Sequence, residues 1–158
     1  MSESLQSTDG QKYITKLVAA DPEALAADIY ERAFSQVSSG STVPTTTQIS
    51  SPLVKIVPAG EKGISEFSPF FTTMEELKAV AKSGKTLADS LGLPVVSENA
   101  RYSIFEITPL KPTEVFSSKV APTMEFGGSI TRTGGATQYL VPNRKEWSAA
   151  RFIGETDN

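Results

Sequence analysis

The sequence predicts an α+β fold, because its helical signals come mainly before residue 92 and its strand signals mainly after it. Alternating strands and helices would instead indicate a parallel sheet. The strand-like runs are rich in β-branched and aromatic residues and lie between proline and glycine breaks. The chain has 158 residues, of which 39% are hydrophobic, so it is long and apolar enough for one domain with a packed core.

Three stretches of different character divide the chain. Residues 1–10 are polar and predict a disordered start. Residues 11–50 predict a helical leader that ends in a linker rich in serine and threonine. Residues 51–158 hold the remaining structural signals and are predicted to form the main domain.

Capping residues place the helices. Asp21 and Pro22 supply an N-cap and a first-turn proline, and apolar residues at every fourth position then predict an amphipathic helix over 22–38. Thr73 and Glu76 form a capping box for a second helix, because a hydroxyl and a carboxylate three positions apart can satisfy each other's backbone N–H groups. A further short helix is predicted to follow before residue 92.

Apolar runs predict the strands of the main domain. These runs are Leu53–Val57, Tyr102–Ile107, Glu114–Val120 and Thr137–Val141. A further stretch, 67–71, is aromatic but contains Pro69, which cannot donate a hydrogen bond within a sheet. We therefore expect that stretch at the edge of a sheet or in an ordered loop.

The composition excludes several kinds of active site. The chain contains no histidine and no cysteine, so it can form neither a Ser-His-Asp triad nor a zinc site built on those residues, and we predict no metal site. A net charge of −3 gives no electrostatic case for a nucleic acid or an anionic membrane as partner. No apolar stretch approaches the length of a membrane span, and the first residues lack the features of a classical signal peptide.

A glycine-rich loop leads into the last predicted strand, and Gln138 follows at the mouth of that strand. Glycine lets the backbone approach a ligand closely, so Gly134 and Gly135 could form the floor of a binding site. The same glycines also suit a hairpin turn, and both interpretations stay open. The amide of Gln138 can bind a pair of sugar hydroxyls, although the residue could equally be a solvated part of the strand.

The aromatic stretch combines rings with hydroxyl groups. Phe70 and Phe71 offer faces that stack on a planar heterocycle, while Ser68 and Thr72 offer hydroxyls that orient it. The alternative is that one ring enters the core, the other ring is exposed and Thr73 caps the following helix.

Basic residues lie on or beside the predicted strands, namely Lys55, Arg101 and Arg132. A basic side chain in such a place can bind a pyrophosphate, although each of these residues taken singly is also an ordinary surface charge. The sequence does not decide which of them would meet an anion.

The stretch 102–142 resembles part of a known family. Its strand, its turn, its Ala-Pro segment, its glycine-rich loop and the closing GGATQYLVP are similar to the C-terminal half of the tuberculosis necrotizing toxin family of NAD+ glycohydrolase domains. The resemblance implies a fold like that of the ADP-ribosyltransferases, with a split antiparallel β-sheet core and N-terminal helices. It places Gln138 on the family's catalytic-site glutamine and makes residues 51–158 the catalytic domain.

The resemblance also implies a binding site for NAD+, in which the two phenylalanines flank the nicotinamide and a basic residue meets the diphosphate. The residues implied for this site, beside the catalytic Gln138, are Lys55, Ser68, Phe70, Phe71, Thr72, Arg101, Arg132, Gly134 and Gly135. The chain departs from the family in two respects. Lys55 stands where these folds usually have arginine, or histidine in one branch, and the family's histidine has no counterpart in this chain.

The implied activity is that of an NAD+-consuming toxin or effector domain that hydrolyses the nicotinamide–ribose bond, with NAD+ as substrate and no cofactor. Cleavage passes through an oxocarbenium-like state with a neutral leaving group, so it needs positioning and electrostatic support more than a strong base. The amide of Gln138 cannot accept a proton, which favours hydrolysis over transfer to a protein. The alternatives are a protein mono-ADP-ribosyltransferase toxin and a non-catalytic binding or structural module.

Partners and a destination follow from the same resemblance. An immunity protein would occupy the cleft, and a larger polypeptide would deliver the domain, which is secreted without a classical signal peptide. The domain would act in the cytoplasm of a target cell, and the alternative is an ordinary cytoplasmic protein. We expect neither nucleic-acid binding nor membrane insertion.

Overall fold

The computed structural model describes residues 3–158, in which helices and antiparallel sheets are stacked in layers. The helices are α1 (Glu3–Gln6), α2 (Thr8–Ala20), α3 (Ala26–Val37), α4 (Met74–Lys82) and α5 (Leu87–Ser90). The strands are β1 (Thr45–Ile49), β2 (Leu53–Pro58), β3 (Phe70–Phe71), β4 (Arg101–Ile107), β5 (Thr113–Lys119), β6 (Thr123–Glu125), β7 (Ile130–Arg132), β8 (Thr137–Leu140) and β9 (Arg151–Asp157). The predicted α+β class is confirmed. None of the helices in the described range is long and apolar enough to cross a membrane.

The strands form two antiparallel sheets and a hairpin. The first sheet has the order β1-β5-β8-β3 and the second sheet the order β2-β4-β9, while β6 and β7 pair as the hairpin. The two sheets meet where Val54 and Thr72 exchange backbone hydrogen bonds of 2.8 and 2.9 Å. The aromatic strand β3 lies at an edge of the first sheet, which is one of the two places predicted for a stretch that contains proline.

The first sheet is covered on both faces. One face, with Phe116 and Leu140, packs against α2 and α3 through a cluster that includes Tyr13. The opposite face, with Phe71, packs against the second sheet through Leu53. The outer face of the second sheet is covered by α4 and α5. The layers therefore follow the order helices, first sheet, second sheet, helices.

The N-terminal part differs from the sequence prediction. The sequence predicts disorder over residues 1–10, of which residues 1 and 2 lie outside the described part of the chain. In α1, Leu5 is buried, and the Ser7 hydroxyl caps α2 by accepting from the N–H of Gly10 at 2.9 Å. The serine- and threonine-rich linker also contains a strand, since β1 pairs with β5.

The helix predicted over 22–38 exists, but it begins only at Ala26. Asp21, predicted as its N-cap, instead ends α2 and forms an ion pair with Arg32 at 3.2 Å. The prediction of the start is wrong because the residues after Asp21 form a turn between two helices rather than the first turn of the second one.

The capping box of α4 is formed in one direction. The Thr73 hydroxyl accepts from the N–H of Glu76 at 3.1 Å, which confirms the predicted helix start. The Glu76 carboxylate is used elsewhere, since it accepts from the N–H of Thr137 at 2.6 Å. A residue selected as a local cap therefore fixes the first residue of β8.

The glycine-rich loop before β8 is hydrogen-bonded to α5 and to the residue that follows β5. The N–H of Gly134 donates to the carbonyl of Asp89 at 3.0 Å, and the N–H of Gly135 donates to the carbonyl of Val120 at 2.9 Å. Both glycines have a positive φ, of 68° and 96°, which a residue with a side chain would resist. The loop thus sets the position at which β8 enters the first sheet.

Gly134→Ala is expected to lower the free energy of unfolding by about 2 kcal/mol or more, because a left-handed φ alone costs roughly 1–2 kcal/mol for a residue with a side chain. The new Cβ would also fall on the carbonyl oxygens of Val120 and Ala121. Gly135→Ala is the matched control, because its φ is also positive but no described atom outside its chain neighbours lies within 4 Å of its Cβ position. Urea denaturation of both variants measures the difference, and equal losses would contradict the steric explanation.

Candidate functional site

Lys55 projects from β2 toward the first sheet. Its neighbours Val54 and Ile56 face α4 and α5, so alternation along the strand turns Lys55 to the other side. The ammonium donates to the Ser68 hydroxyl at 2.8 Å and to the Phe70 carbonyl at 2.9 Å. The charged end of this residue therefore holds the segment that leads into β3.

Arg144 approaches the same place from the turn after β8. Its guanidinium donates to the Ser65 carbonyl at 3.1 Å. The Arg144 Cζ lies 5.2 Å from the centre of the Phe71 ring, and the Lys55 Nζ lies 5.5 Å from the same centre. Two cations therefore share one aromatic ring, whose negative face offsets part of the loss of water around them.

Among the described residues, Lys55 and Arg144 lack the ion-pair contacts that most other buried charges have. Neither forms an ion pair within residues 3–158, and the Arg144 Nε is buried without a hydrogen-bond partner there. Burial, and to a smaller extent the charge of Arg144, lowers the pKa of Lys55 to about 8. Burial also lowers the pKa of Arg144, against an opposing effect of Glu66. A bound anion would favour the charged form of both side chains.

An open cavity of about 850 Å³ adjoins this pair of cations. It lies between the helices α2 and α3 on one side and the loop after β8 on the other, and Arg144 lines it directly. Phe67 and Pro69, on either side of Ser68, line it as well. The contact between Ser68 and Lys55 is therefore immediately behind the wall of the cavity.

Most other charged residues of the cavity are engaged with each other or with the backbone. Asp21 pairs with Arg32, and Lys145 donates to the last carbonyl of α2 at 3.0 Å. Glu66 lines the cavity and forms no ion pair with any described residue. Arg144 and Glu66 are thus the cavity charges most available to a ligand.

Part of the predicted site is assembled here. The residues that come together are Lys55, Ser68, Phe70 and Phe71. The Phe71 ring is buried, whereas Phe70 contributes its carbonyl and packs its ring partly against the helices. Thr72 is buried, and its hydroxyl donates to the Thr137 carbonyl at 2.9 Å, so it joins strands and does not line the cavity.

Gln138 lies on the opposite face of the first sheet. It shares that face with Leu140, which packs against α2 and α3, whereas Tyr139 between them points toward the second sheet. Its amide nitrogen donates to the hydroxyls of Ser39 and Ser118 at 2.8 and 3.1 Å, and the residue is 5% exposed. The structure does not bring Gln138 to the cavity, and its catalytic role stays a prediction.

The remaining predicted residues are held elsewhere. Arg101 begins β4 and forms an ion pair with Glu155 at 3.3 Å. Arg132 pairs with Glu98 at 3.1 Å and donates to a backbone carbonyl, so it ties the β6–β7 hairpin to the segment after α5. The two glycines belong to the loop before β8. None of these residues is hydrogen-bonded to the Lys55 ammonium.

Arg144 is a candidate site residue that the sequence analysis does not select. Its one signal in the sequence is its position just after Pro142, where the stretch that resembles the toxin family ends. Its contact with Phe71 depends on how the turn after β8 folds back over the junction of the two sheets. Spacing along the chain does not show such a contact.

No protein-family model matches this chain, and no curated protein matches it. Among solved structures, the chain is similar to Rhs1-CT in complex with its cognate immunity protein RhsI1, with 16% identity and a TM-score of 0.47 over 75% of this chain and 83% of that one. It is also similar to Tse6 in complex with Tsi6, with 12% identity and a TM-score of 0.47 over 94% of this chain and 98% of that one.

Lys55→Met is expected to remove a pH-dependent part of the stability. The pKa of Lys55 is about 8 in the folded chain and near its ordinary 10.5 in the unfolded chain, so the unfolded chain binds more protons between those pH values. The contribution of Lys55 to the free energy of unfolding therefore rises between pH 8 and 10.5, by roughly 2–3 kcal/mol. Urea denaturation should show a growing difference between wild type and Lys55→Met over this range. Lys78→Met, on the exposed side of α4, is the control, and a difference that stays flat for Lys55→Met would contradict the assignment.

Proposed function

We propose that this chain is an NAD+-consuming effector domain that hydrolyses the nicotinamide–ribose bond, with the diphosphate of NAD+ bound by Lys55 and Arg144. The observation that supports this best is a pair of cations beside a large cavity, neither of which forms an ion pair with a described residue. Leaving a buried charge unpaired is costly, so such a pair points to a negatively charged ligand. A diphosphate supplies the oxygens that a guanidinium and an ammonium bind.

The cavity has dimensions and walls that suit a nucleotide. Its volume of about 850 Å³ lies within the roughly 300–1,000 Å³ typical of small-molecule sites. Phe67 lines it with a ring that is 91% exposed, and Trp147 supplies an apolar wall. Aromatic faces of this kind stack on planar rings such as nicotinamide or adenine.

The reaction suits a site without histidine or cysteine. The nicotinamide leaves as a neutral molecule, and the ribose carbon gains positive charge in the transition state. Glu66 is the cavity carboxylate best placed to stabilise that charge, because it is not engaged in an ion pair with a described residue. Water from the open side of the cavity then attacks the ribose carbon and completes the hydrolysis.

An immunity protein that covers the cavity is the partner that this function requires, because an active NAD+ hydrolase would harm the cell that makes it. The domain would be part of a larger secreted polypeptide and would act in the cytoplasm of a target cell. Arg144 and the aromatic rim of the cavity, which includes the exposed Phe67, are the surface that such a protein would cover.

A non-catalytic binding module is the second candidate, and one observation favours it. Gln138, which the family resemblance makes catalytic, is 5% exposed and is hydrogen-bonded to two serines. In a binding module, those bonds would serve only to hold β8 to β5 and to the turn after α3.

Mixing the purified chain with NAD+ tests the proposal, with free nicotinamide and free ADP-ribose as the products measured. We expect both products in equal amounts. Arg144→Ala should raise the KM at least tenfold, because a lost charge-assisted hydrogen bond to phosphate costs about 1.5–3 kcal/mol. Arg101→Ala is the matched control and should leave the KM unchanged, because Arg101 pairs with Glu155 outside the cavity.

Other outcomes of this assay would replace the proposal. Nicotinamide release with ADP-ribose attached to protein would show a mono-ADP-ribosyltransferase. A correctly folded wild-type chain without any turnover would leave the binding module as the function.

The role of Gln138 can be separated in the same assay. If its amide contacts the ribose, Gln138→Ala should lower kcat about a hundredfold or more, whereas Ser39→Ala should change kcat much less. If the amide only holds β8, the two variants should lower the unfolding free energy and leave kcat near that of wild type. Measuring kcat and urea denaturation for both variants decides between these roles.

A further inference from the structure

Lys55 and Ser68 meet in an arrangement that also suits a second kind of chemistry. The Lys55 Nζ lies 2.8 Å from the Ser68 Oγ, within the distance at which a base can take a hydroxyl proton. The two residues come from different elements, since one lies on β2 and the other in the segment before β3. The contact therefore results from the junction of the two sheets and not from neighbouring positions in the chain.

The surroundings of Lys55 favour a neutral amine. Burial lowers its pKa to about 8, and Arg144 is the charged group that acts on it in the same direction. Glu66 acts on Arg144 from the cavity side, and on the inner side Lys55 meets the Phe71 ring. At mildly alkaline pH, the amine is therefore largely a free base that can accept the Ser68 proton.

We propose that Ser68 is a nucleophile and Lys55 is its general base in an acyl-transfer site that hydrolyses carboxylic esters. This activity goes beyond NAD+ cleavage and does not depend on it. Serine with a lysine base is a known alternative to a triad that uses histidine, and this chain contains no histidine.

The steps of the reaction balance with water as the only co-reactant. The Ser68 Oγ bonds to the acyl carbon while its proton moves to the Lys55 Nζ, and the alcohol leaves with that proton as the ester C–O bond breaks. Water then attacks the acyl-serine and gives a proton to Lys55. Lys55 returns that proton to the Ser68 Oγ as the carboxylic acid is released.

Ser68 lies between two residues that line the cavity. Ser68 is half-buried, and its neighbours Phe67 and Pro69 line the cavity. Arg144 lies beside the pair, with a buried Nε that has no partner among the described residues, and its charge would stabilise the oxyanion that forms. The same charge favours esters that have an anionic acyl group.

Treatment of the full chain with p-nitrophenyl acetate at pH 8.5 tests the proposal. We expect a burst of p-nitrophenolate and an acetyl group on Ser68 that hydroxylamine removes. Ser68→Ala should abolish the burst, Lys55→Met should slow it at least tenfold, and Ser65→Ala, an exposed serine in the same loop, should leave it unchanged. An undiminished burst in Ser68→Ala, or an acetyl group found only as a stable amide on Lys55, would overturn the proposal.

Ser68→Cys provides a second measurement that does not require turnover. The chain has no other thiol, so the rate of alkylation by iodoacetamide reports on this position alone. A neighbouring lysine stabilises a thiolate, so Ser68→Cys should react at pH 7 at least tenfold faster than Ser65→Cys, and adding Lys55→Met should remove the advantage. Equal rates for the two cysteine variants would show that Lys55 does not activate position 68.

Discussion

The hydrogen bonds of the Lys55 ammonium hold the two sheets in a fixed relation to each other. They join β2 of the second sheet to the segment that enters β3 of the first, next to the backbone exchange between Val54 and Thr72. Breaking these hydrogen bonds without offering the ammonium other acceptors would leave a buried charge unsatisfied, which costs free energy. The wall of the cavity at Ser68 therefore depends on the same contact that joins the sheets.

Some helix ends and strands could be predicted from the sequence because they depend only on residues a few positions apart. The Thr73 cap needs only an N–H three positions later, and the edge position of β3 follows from a proline that cannot donate. The strands β2, β4, β5 and β8 could be predicted for the same reason, since alternation and β-branched residues are properties of a few neighbouring positions. The strands β6, β7 and β9 were not predicted from the sequence. Of the candidate site, Lys55 could be selected for its charge beside a predicted strand, Ser68 for its hydroxyl and Phe71 for its ring.

The remaining features depend on contacts between distant parts of the chain. Alternation along β8 shows that Gln138 and Tyr139 face opposite sides of the first sheet. Only the packing of α2 and α3 shows that Gln138 lies on the side that these helices cover. Glu76 has the signature of a local cap, yet its carboxylate bonds to Thr137. Arg144 belongs to the site because a turn folds back over Phe71. No spacing rule within one element describes these contacts.

The covering of the first sheet by α2 and α3 has a consequence for how the chain folds. Gln138 and Ser39 are 99 positions apart in sequence, and the bond between Lys16 and Glu146 spans 130 positions. The helices are made early by the ribosome, but the strands β5 and β8 that bury them come much later. Contacts of such long range are typical of slow folding. The helices can complete their contacts with the first sheet only after β8 has been synthesised.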